Sequence, residues 1–165
     1  MIRPAAPSDL EEVARIYNHY IMNDTATFEE KPVSVREMAE RLDVVRSAGL
    51  PWLVSEKHGK VLGYAYGGKW SGRCSYRFSV ESTVYVDPAA VGQGLGTALY
   101  EVLLDTLRDR SVHVVIGGIA LPNAASVALH ERLGFQKVAH FREVGFKFNK
   151  WIDVGYWQTA LGGYH

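Results

Sequence analysis

A single cysteine, Cys74, leaves this 165-residue chain without the means for an internal disulfide. Its core must come from packing alone, and a chain of this length can bury enough surface for that. Sparing cysteine use fits a reducing compartment, so a cytoplasmic location is expected. No apolar run approaches the length of a membrane-spanning helix, and the first residues form no signal-like apolar segment. No charge of one sign predominates, because 18 Lys and Arg stand against 18 Asp and Glu. That balance provides no broad field for nucleic acid or an anionic membrane, and neither is expected as a partner. Six histidines and one cysteine show no ligand spacing, so no metal site is expected. Repeats, low-complexity tracts and linkers are also missing. Residues 1–165 read as a single domain.

What is present is an ordinary globular composition, 47% hydrophobic and rich in aromatics at 12%. Ile2 and Arg3 open a short strand. Ser8 with Glu11 has the spacing of a capping box, and Leu10, Val13, Ala14 and Tyr17 recur at helical spacing, which predicts a helix from Asp9 to Met22. Ser34 with Glu37 repeats the box before a second helix with the stripe Val35, Met38, Leu42 and Val45. The period then changes to that of strands, with a hairpin turn at His58-Gly59. Val112 to Ile116 is a continuous apolar run, as in a strand buried on both faces. Asn123 is a good N-cap for a helix to Leu133, stopped by Gly134. Phe135 to Phe141 and Val154 to Leu161 read as two last strands around a Gly/Lys/Asn loop. The order β, α, α, β, β, β, α, β, α, β, β is that of an α/β domain with a mixed sheet.

The middle of the chain, Ser79 to Arg110, joins a strand, a glycine-rich loop and an amphipathic helix. Glycines at 92, 94 and 96 permit φ > 0 and close backbone approach, while the helix turns its free N–H groups back on the loop. Such a loop suits an anion. A dinucleotide fingerprint fits poorly, because its third glycine is Thr97 here and no second strand supplies the acidic residue. A Walker loop fails for want of a lysine beside Gly96-Thr97. For the glycines taken alone, a tight turn with close helix–strand packing is the preferred reading.

Val91-Gly92-Gln93-Gly94-Leu95-Gly96 resembles the first motif of the GNAT superfamily of N-acetyltransferases, Gln/Arg-x-x-Gly-x-Gly/Ala. It matches at Gly94 and Gly96 and departs at Val91. The segment from Asn123 through Ser126 and His130 to Phe135 resembles the same family's second CoA-facing segment, with His130 where a Tyr is usual. Val80 to Val86, His130, and Lys147-Phe148 with Trp151 and Asp153-Val154 resemble the phosphinothricin and methionine sulfoximine acetyltransferases within it. The resemblance covers about Ile2 to Leu161. It implies a mixed, mostly antiparallel sheet splayed near its middle, with flanking helices, and acetyl-CoA as acetyl donor.

It also implies roles. Acetyl transfer to an amine needs a base, an oxyanion donor and a partner for the leaving thiolate. The expected catalytic residues are Glu81 as base and His130 at the CoA sulfur. Alternation along the strand does not decide which face Glu81 takes, although burial there would raise its pKa. The expected CoA contacts are Val84, Tyr85 and Val86 on the strand, Gly92, Gln93, Gly94, Leu95, Gly96 and Thr97 in the loop, and Asn123 and Ser126 downstream. Asn123 is equally a helix cap. Phe28, Trp70, Arg73, Tyr76 and Arg77 are candidates for the acceptor site, with an arginine to take an amino-acid carboxylate. The expected acceptor is a small amino-acid-like amine. A peptide N-terminus, a polyamine, or a catalytically silent acyl-CoA-binding domain are the alternatives. Tyr64, Tyr66, Trp151, Tyr156 and Trp157 belong either to a homodimer interface, as the resemblance suggests, or to the core.

Overall fold

The computed structural model describes residues 1–165. Seven strands form one sheet: β1 (Ile2–Pro4), β2 (Trp52–Lys57), β3 (Lys60–Lys69), β4 (Ser79–Val86), β5 (Val114–Leu121), β6 (Gln136–Lys147) and β7 (Lys150–Ala160). Their order across the sheet is β1-β2-β3-β4-β5-β7-β6, and only β4 and β5 run parallel. Four helices accompany them: α1 (Leu10–Asn23), α2 (Val35–Ser47), α3 (Leu95–Asp109) and α4 (Ala124–Arg132). Helix α3 crosses between the two parallel strands, as that connection requires. It buries Leu99, Tyr100, Leu103, Leu104 and Leu107 against the sheet, while α1 and α2 contribute Val13, Ile16, Met38 and Leu42 to the same core.

Several local expectations need correction. Ser8 does not cap α1. Pro7–Asp9 forms a single 3-10 turn, whose Asp9 carboxylate accepts the Ala6 N–H at 2.7 Å and pairs with both terminal nitrogens of Arg3 at 2.8 Å. A carboxylate facing a guanidinium outcompetes a neutral hydroxyl for that place. Ser34 does cap α2, accepting the Glu37 N–H at 3.1 Å. Strand β5 continues through Gly117 and Gly118 to Leu121. The final hairpin is also longer than expected. Gly145 and Lys147 lie within β6, and the turn is Phe148-Asn149, both at positive φ (52° and 58°). Phenylalanine is an uncommon occupant of that conformation, so composition hid the turn.

The aromatic residues divide between buried and exposed positions. Tyr64 and Trp157 are buried, and Trp52 stacks on Tyr66 with ring centroids 4.1 Å apart. Trp151, by contrast, is 66% exposed at the tip of the β6–β7 hairpin. No helix is long and apolar enough to cross a membrane.

Candidate active site

Strands β4 and β5 pair only from Ser79–Val114 to Glu81–Ile116. Beyond that point β4 stays with β3 as far as Val86, and β5 stays with β7 as far as Leu121. Two strand edges therefore part and face each other across a gap in the sheet. A cavity of about 440 Å³ occupies the gap, lined by Ser82 to Val86 on one side and Gly118 to Ala120 on the other. Glu81 is the last β4 residue paired to β5, so it stands where the split begins.

The loop at one end of the cavity has the conformation its glycines allow. Gly92 and Gly94 sit at φ 80° and 77°, and Gly94 is the N-cap of α3 with no side chain capping it. Gly96 already belongs to the helix, so its place needs no positive φ. The first helical hydrogen bond is Ala98 N–H to Gly94 C=O at 3.1 Å, which leaves the N–H groups of Leu95, Gly96 and Thr97 outside the helix ladder. Free amides beside the positive end of the α3 dipole are the donors an anion calls for. Val91 and Gln93 are exposed beside them, and Val91 lines the cavity.

Asn123 and Ser126 both line the cavity. The Asn123 side-chain oxygen accepts the Ser126 N–H at 3.1 Å, so its capping role is filled while its amide NH₂ is free for a ligand. His130 differs from expectation. The spacing of Ala125, Ala128, Leu129 and Arg132/Leu133 predicts a core-facing stripe on α4, with His130 one position off it at the boundary. Instead His130 is the buried residue of α4, at 4% exposure, while Ala125 and Leu129 turn to the cavity. An apolar stripe serves a ligand cleft as readily as a core. Both ring nitrogens of His130 are engaged: Nδ1 with the Ser126 carbonyl at 2.7 Å and Nε2 with the Tyr100 hydroxyl at 2.8 Å. Burial holds its pKa below the usual imidazole value, against a smaller opposing effect of the Ser126 carbonyl.

Glu81 is half-buried, and burial raises its carboxyl pKa above the ordinary range with no hydrogen bond to offset it. Its charge in turn raises the pKa of Tyr156, after the larger effect of burial. Trp70 packs edge-on against Tyr156 at 5.7 Å, which links one acceptor-site candidate to this neighbourhood. Phe28 lies over Gly145, where any Cβ would come within 2.5 Å of its ring. Arg73, Tyr76 and Arg77 are exposed around a short turn, and the Arg77 guanidinium lies 4.6 Å from the Phe78 ring. None of these five lines the cavity.

Sequence reasoning missed three contributors. Tyr20 lines the cavity and donates to the Val86 carbonyl. Lys147, only 2% exposed, donates to the carbonyls of Asp24 and Thr27 at 2.7 Å each and so holds the loop that carries Phe28. Tyr100 lies in the apolar stripe of α3 with Leu99, Leu103 and Leu107, and its hydroxyl bonds with Ser82 and His130. The signal was there: a tyrosine hydroxyl in such a stripe needs a buried partner.

Residues 2–155 match the family model described as an acetyltransferase (GNAT) domain. The chain belongs to the GNAT acetyltransferase family. Among GNAT relatives, the phosphinothricin N-acetyltransferase of Streptomyces viridochromogenes is 41% identical over 157 residues, covering 95% of this chain and 85% of that protein. The L-methionine sulfoximine/L-methionine sulfone acetyltransferase of Salmonella typhimurium is 38% identical over 160 residues, covering 97% and 94%. A solved GNAT structure, the phosphinothricin acetyltransferase of Sinorhizobium meliloti in complex with AcCoA, superposes with a TM-score of 0.94 at 35% identity, covering 97% of this chain and 87% of that one. The open sheet with flanking helices is thus the GNAT fold, and the chain is an acetyltransferase.

Proposed function

We propose that residues 1–165 form a single N-acetyltransferase domain that uses acetyl-CoA to acetylate the amino group of a small amino-acid-like substrate of the phosphinothricin, methionine sulfoximine or methionine sulfone type. The observation that supports it is the split between β4 and β5, with a half-buried, unpaired Glu81 at its origin. The residues present suit acetyl-CoA. Its pyrophosphate calls for N–H donors of the kind at Leu95, Gly96 and Thr97, and its amide-bearing arm calls for an unpaired strand edge such as Ser82–Val86.

In this reading Glu81 takes the proton of the substrate ammonium, and the freed amine attacks the thioester carbonyl. Its raised pKa makes it a better base near neutrality than an exposed glutamate. A backbone N–H of the Val84–Val86 edge donates to the developing oxyanion. Gln93 assists the loop amides at the phosphates, and the Asn123 NH₂ and Ser126 complete the CoA wall. Trp70 and Phe28 border the acceptor, while Arg73 or Arg77 meets its carboxylate. His130 serves the leaving thiolate.

The same proposal includes a homodimer in the cytoplasm. Val138, Phe141, Val144, Phe146, Phe148 and Trp151 are each at least half exposed on one hairpin, an apolar concentration that suits a second copy of the chain. The exposed free thiol of Cys74 is compatible with a reducing compartment.

A panel of amines assayed by release of CoA thiol tests the acceptor class. Methionine sulfone, methionine sulfoximine and phosphinothricin are expected to be consumed. A response confined to a peptide N-terminus or to spermidine would overturn the substrate class, and no thiol release with any amine would overturn the enzymatic reading.

A further inference from the structure

His130 cannot meet a thiolate directly while its Nε2 faces Tyr100. We infer that Ser82, Tyr100 and His130 form a proton path from the cavity to the buried imidazole, with Tyr100 as its positioning middle member.

The three side chains come from β4, α3 and α4 and are 7%, 1% and 4% exposed. Ser82 Oγ lies 2.6 Å from the Tyr100 hydroxyl, which lies 2.8 Å from His130 Nε2. One anchor sets the direction of every hydrogen. The Ser126 carbonyl can only accept, so Nδ1 carries the proton. A neutral ring then has its lone pair on Nε2, which accepts from Tyr100. The Tyr100 oxygen accepts from Ser82, whose remaining lone pairs are unclaimed. Ser82 lines the cavity, so the path starts where substrates bind.

The backbone beneath is shaped for this arrangement. A Cβ at Gly117 of β5 would stand 2.5 Å from His130 Nε2 and 3.4 Å from the Tyr100 oxygen. A histidine serving packing alone would need neither a buried hydroxyl relay nor an end at the cleft.

The path balances the proton needs left once Glu81 has taken the ammonium proton, so it rests on the acetyl transfer proposed above. After attack, the nitrogen gives its surplus proton to Ser82 Oγ. Ser82's own proton passes to Tyr100, and Tyr100's passes to Nε2, giving an imidazolium. Cleavage of the C–S bond leaves its electron pair on sulfur. The same hops in reverse place one proton on that thiolate and restore neutral His130. One proton has moved from nitrogen to sulfur, the three path residues are unchanged, and Glu81 releases the ammonium proton to solvent to complete the cycle.

Steady-state kinetics of Tyr100→Phe, Ser82→Ala and Ser82→Thr, alongside Glu81→Gln, test the path. Tyr100→Phe and Ser82→Ala are each expected to lower kcat about a hundredfold. Their acetyl-CoA KM should stay within about twofold of the parent value. Ser82→Thr, which keeps a hydroxyl, should recover most of the loss. The dependence of kcat on the deuterium fraction of the solvent should be curved in the parent and linear in Tyr100→Phe and Ser82→Ala, a change that lost packing does not produce. A folded Tyr100→Phe or Ser82→Ala with parental kcat overturns the path; should Tyr100→Phe not fold, Ser82→Ala gives the same reading. An inactive Glu81→Gln beside fully active path variants overturns the path alone. An active Glu81→Gln beside crippled path variants overturns the base assignment instead.

Discussion

Glu81 and Ser82 are neighbours on β4, yet their side chains leave opposite faces of the sheet into opposite surroundings. Glu81 looks towards Tyr156 without a hydrogen bond or ion pair, and burial alone sets its pKa. Ser82 looks towards α3 and is bonded into a chain that runs on to His130. A base has to gain and lose a full charge, so fixed partners for one of its states would bias it. A relay must hold its hydrogens in one direction until a proton arrives, so fixed partners are what it needs. Ser82 lines the cavity and Glu81 stands where the split begins, so the parting of β4 from β5 brings both environments together at one end of the gap.

The largest expected effect comes from removing the charge on the first side. Glu81→Gln should lower kcat about 10²- to 10⁴-fold with acetyl-CoA binding retained, measured by steady-state kinetics and ligand titration. In the parent enzyme kcat/KM should fall as pH drops through the raised Glu81 value, because the carboxylate must be ionised to act. Stability should show the opposite sense. A carboxyl whose folded pKa lies above its unfolded value adds stability below that unfolded value, and the contribution is lost as pH rises through the folded one. Glu81→Gln should therefore unfold at a higher temperature than the parent at neutral pH, and the difference should shrink in acid. A parental kcat at neutral pH would remove Glu81 from the chemistry.

An intermediate effect is expected on the second side. Gly117→Ala pushes a methyl group into His130 Nε2, so the ring must shift away from Tyr100. Turnover should fall about tenfold through the broken relay. Overpacking should also cost about 1–3 kcal/mol in denaturant unfolding. Gly118→Ala provides the contrast on the other face, where the methyl would meet the Tyr156 ring at 3.1 Å. That variant should disturb the Glu81 side and leave the relay intact.

A smaller effect separates burial from hydrogen bonding at Glu81. Tyr156→Ala admits water beside the carboxylate, so the acid limb of the kcat/KM profile should move down towards an ordinary glutamate. Tyr156→Phe keeps the ring and should leave the limb in place. Equal shifts in both variants would show that the Tyr156 hydroxyl, and not exclusion of water, governs the base.

Much of this arrangement was legible in the residues, and what was not has physical causes. The strand–loop–helix unit announced itself because Gly92 and Gly94 take left-handed backbone, and the caps at Ser34 and Asn123 form as their spacing suggests. The path from Ser82 to His130 was hidden because its members lie 18 and 30 residues apart along the chain. Ser82 and Tyr100 looked like ordinary strand and helix residues, so nothing in the sequence joined them to His130. Periodicity assigned the apolar stripe of α4 to the core because it cannot distinguish a core from an apolar cleft. The buried role of Lys147 was hidden for a related reason: a lysine held by two carbonyls is a tertiary event with no local signature.

The smallest effect concerns Val91, where this chain departs from the usual Arg or Gln of the motif it resembles. Val91 is 59% exposed beside the loop, and the amides of Leu95, Gly96 and Thr97 stand ready without it. A guanidinium added there would meet phosphate in solvent-rich surroundings, where a charge contact is worth about 0.2–1 kcal/mol. Val91→Arg should thus lower the acetyl-CoA KM by no more than about fivefold, leave kcat unchanged and lose its advantage in high salt. A much larger gain would mean that the backbone cradle alone holds the phosphates poorly. The glycine loop would then be the weaker half of the site, and the strand edge at Ser82 to Val86 would carry most of the hold on CoA.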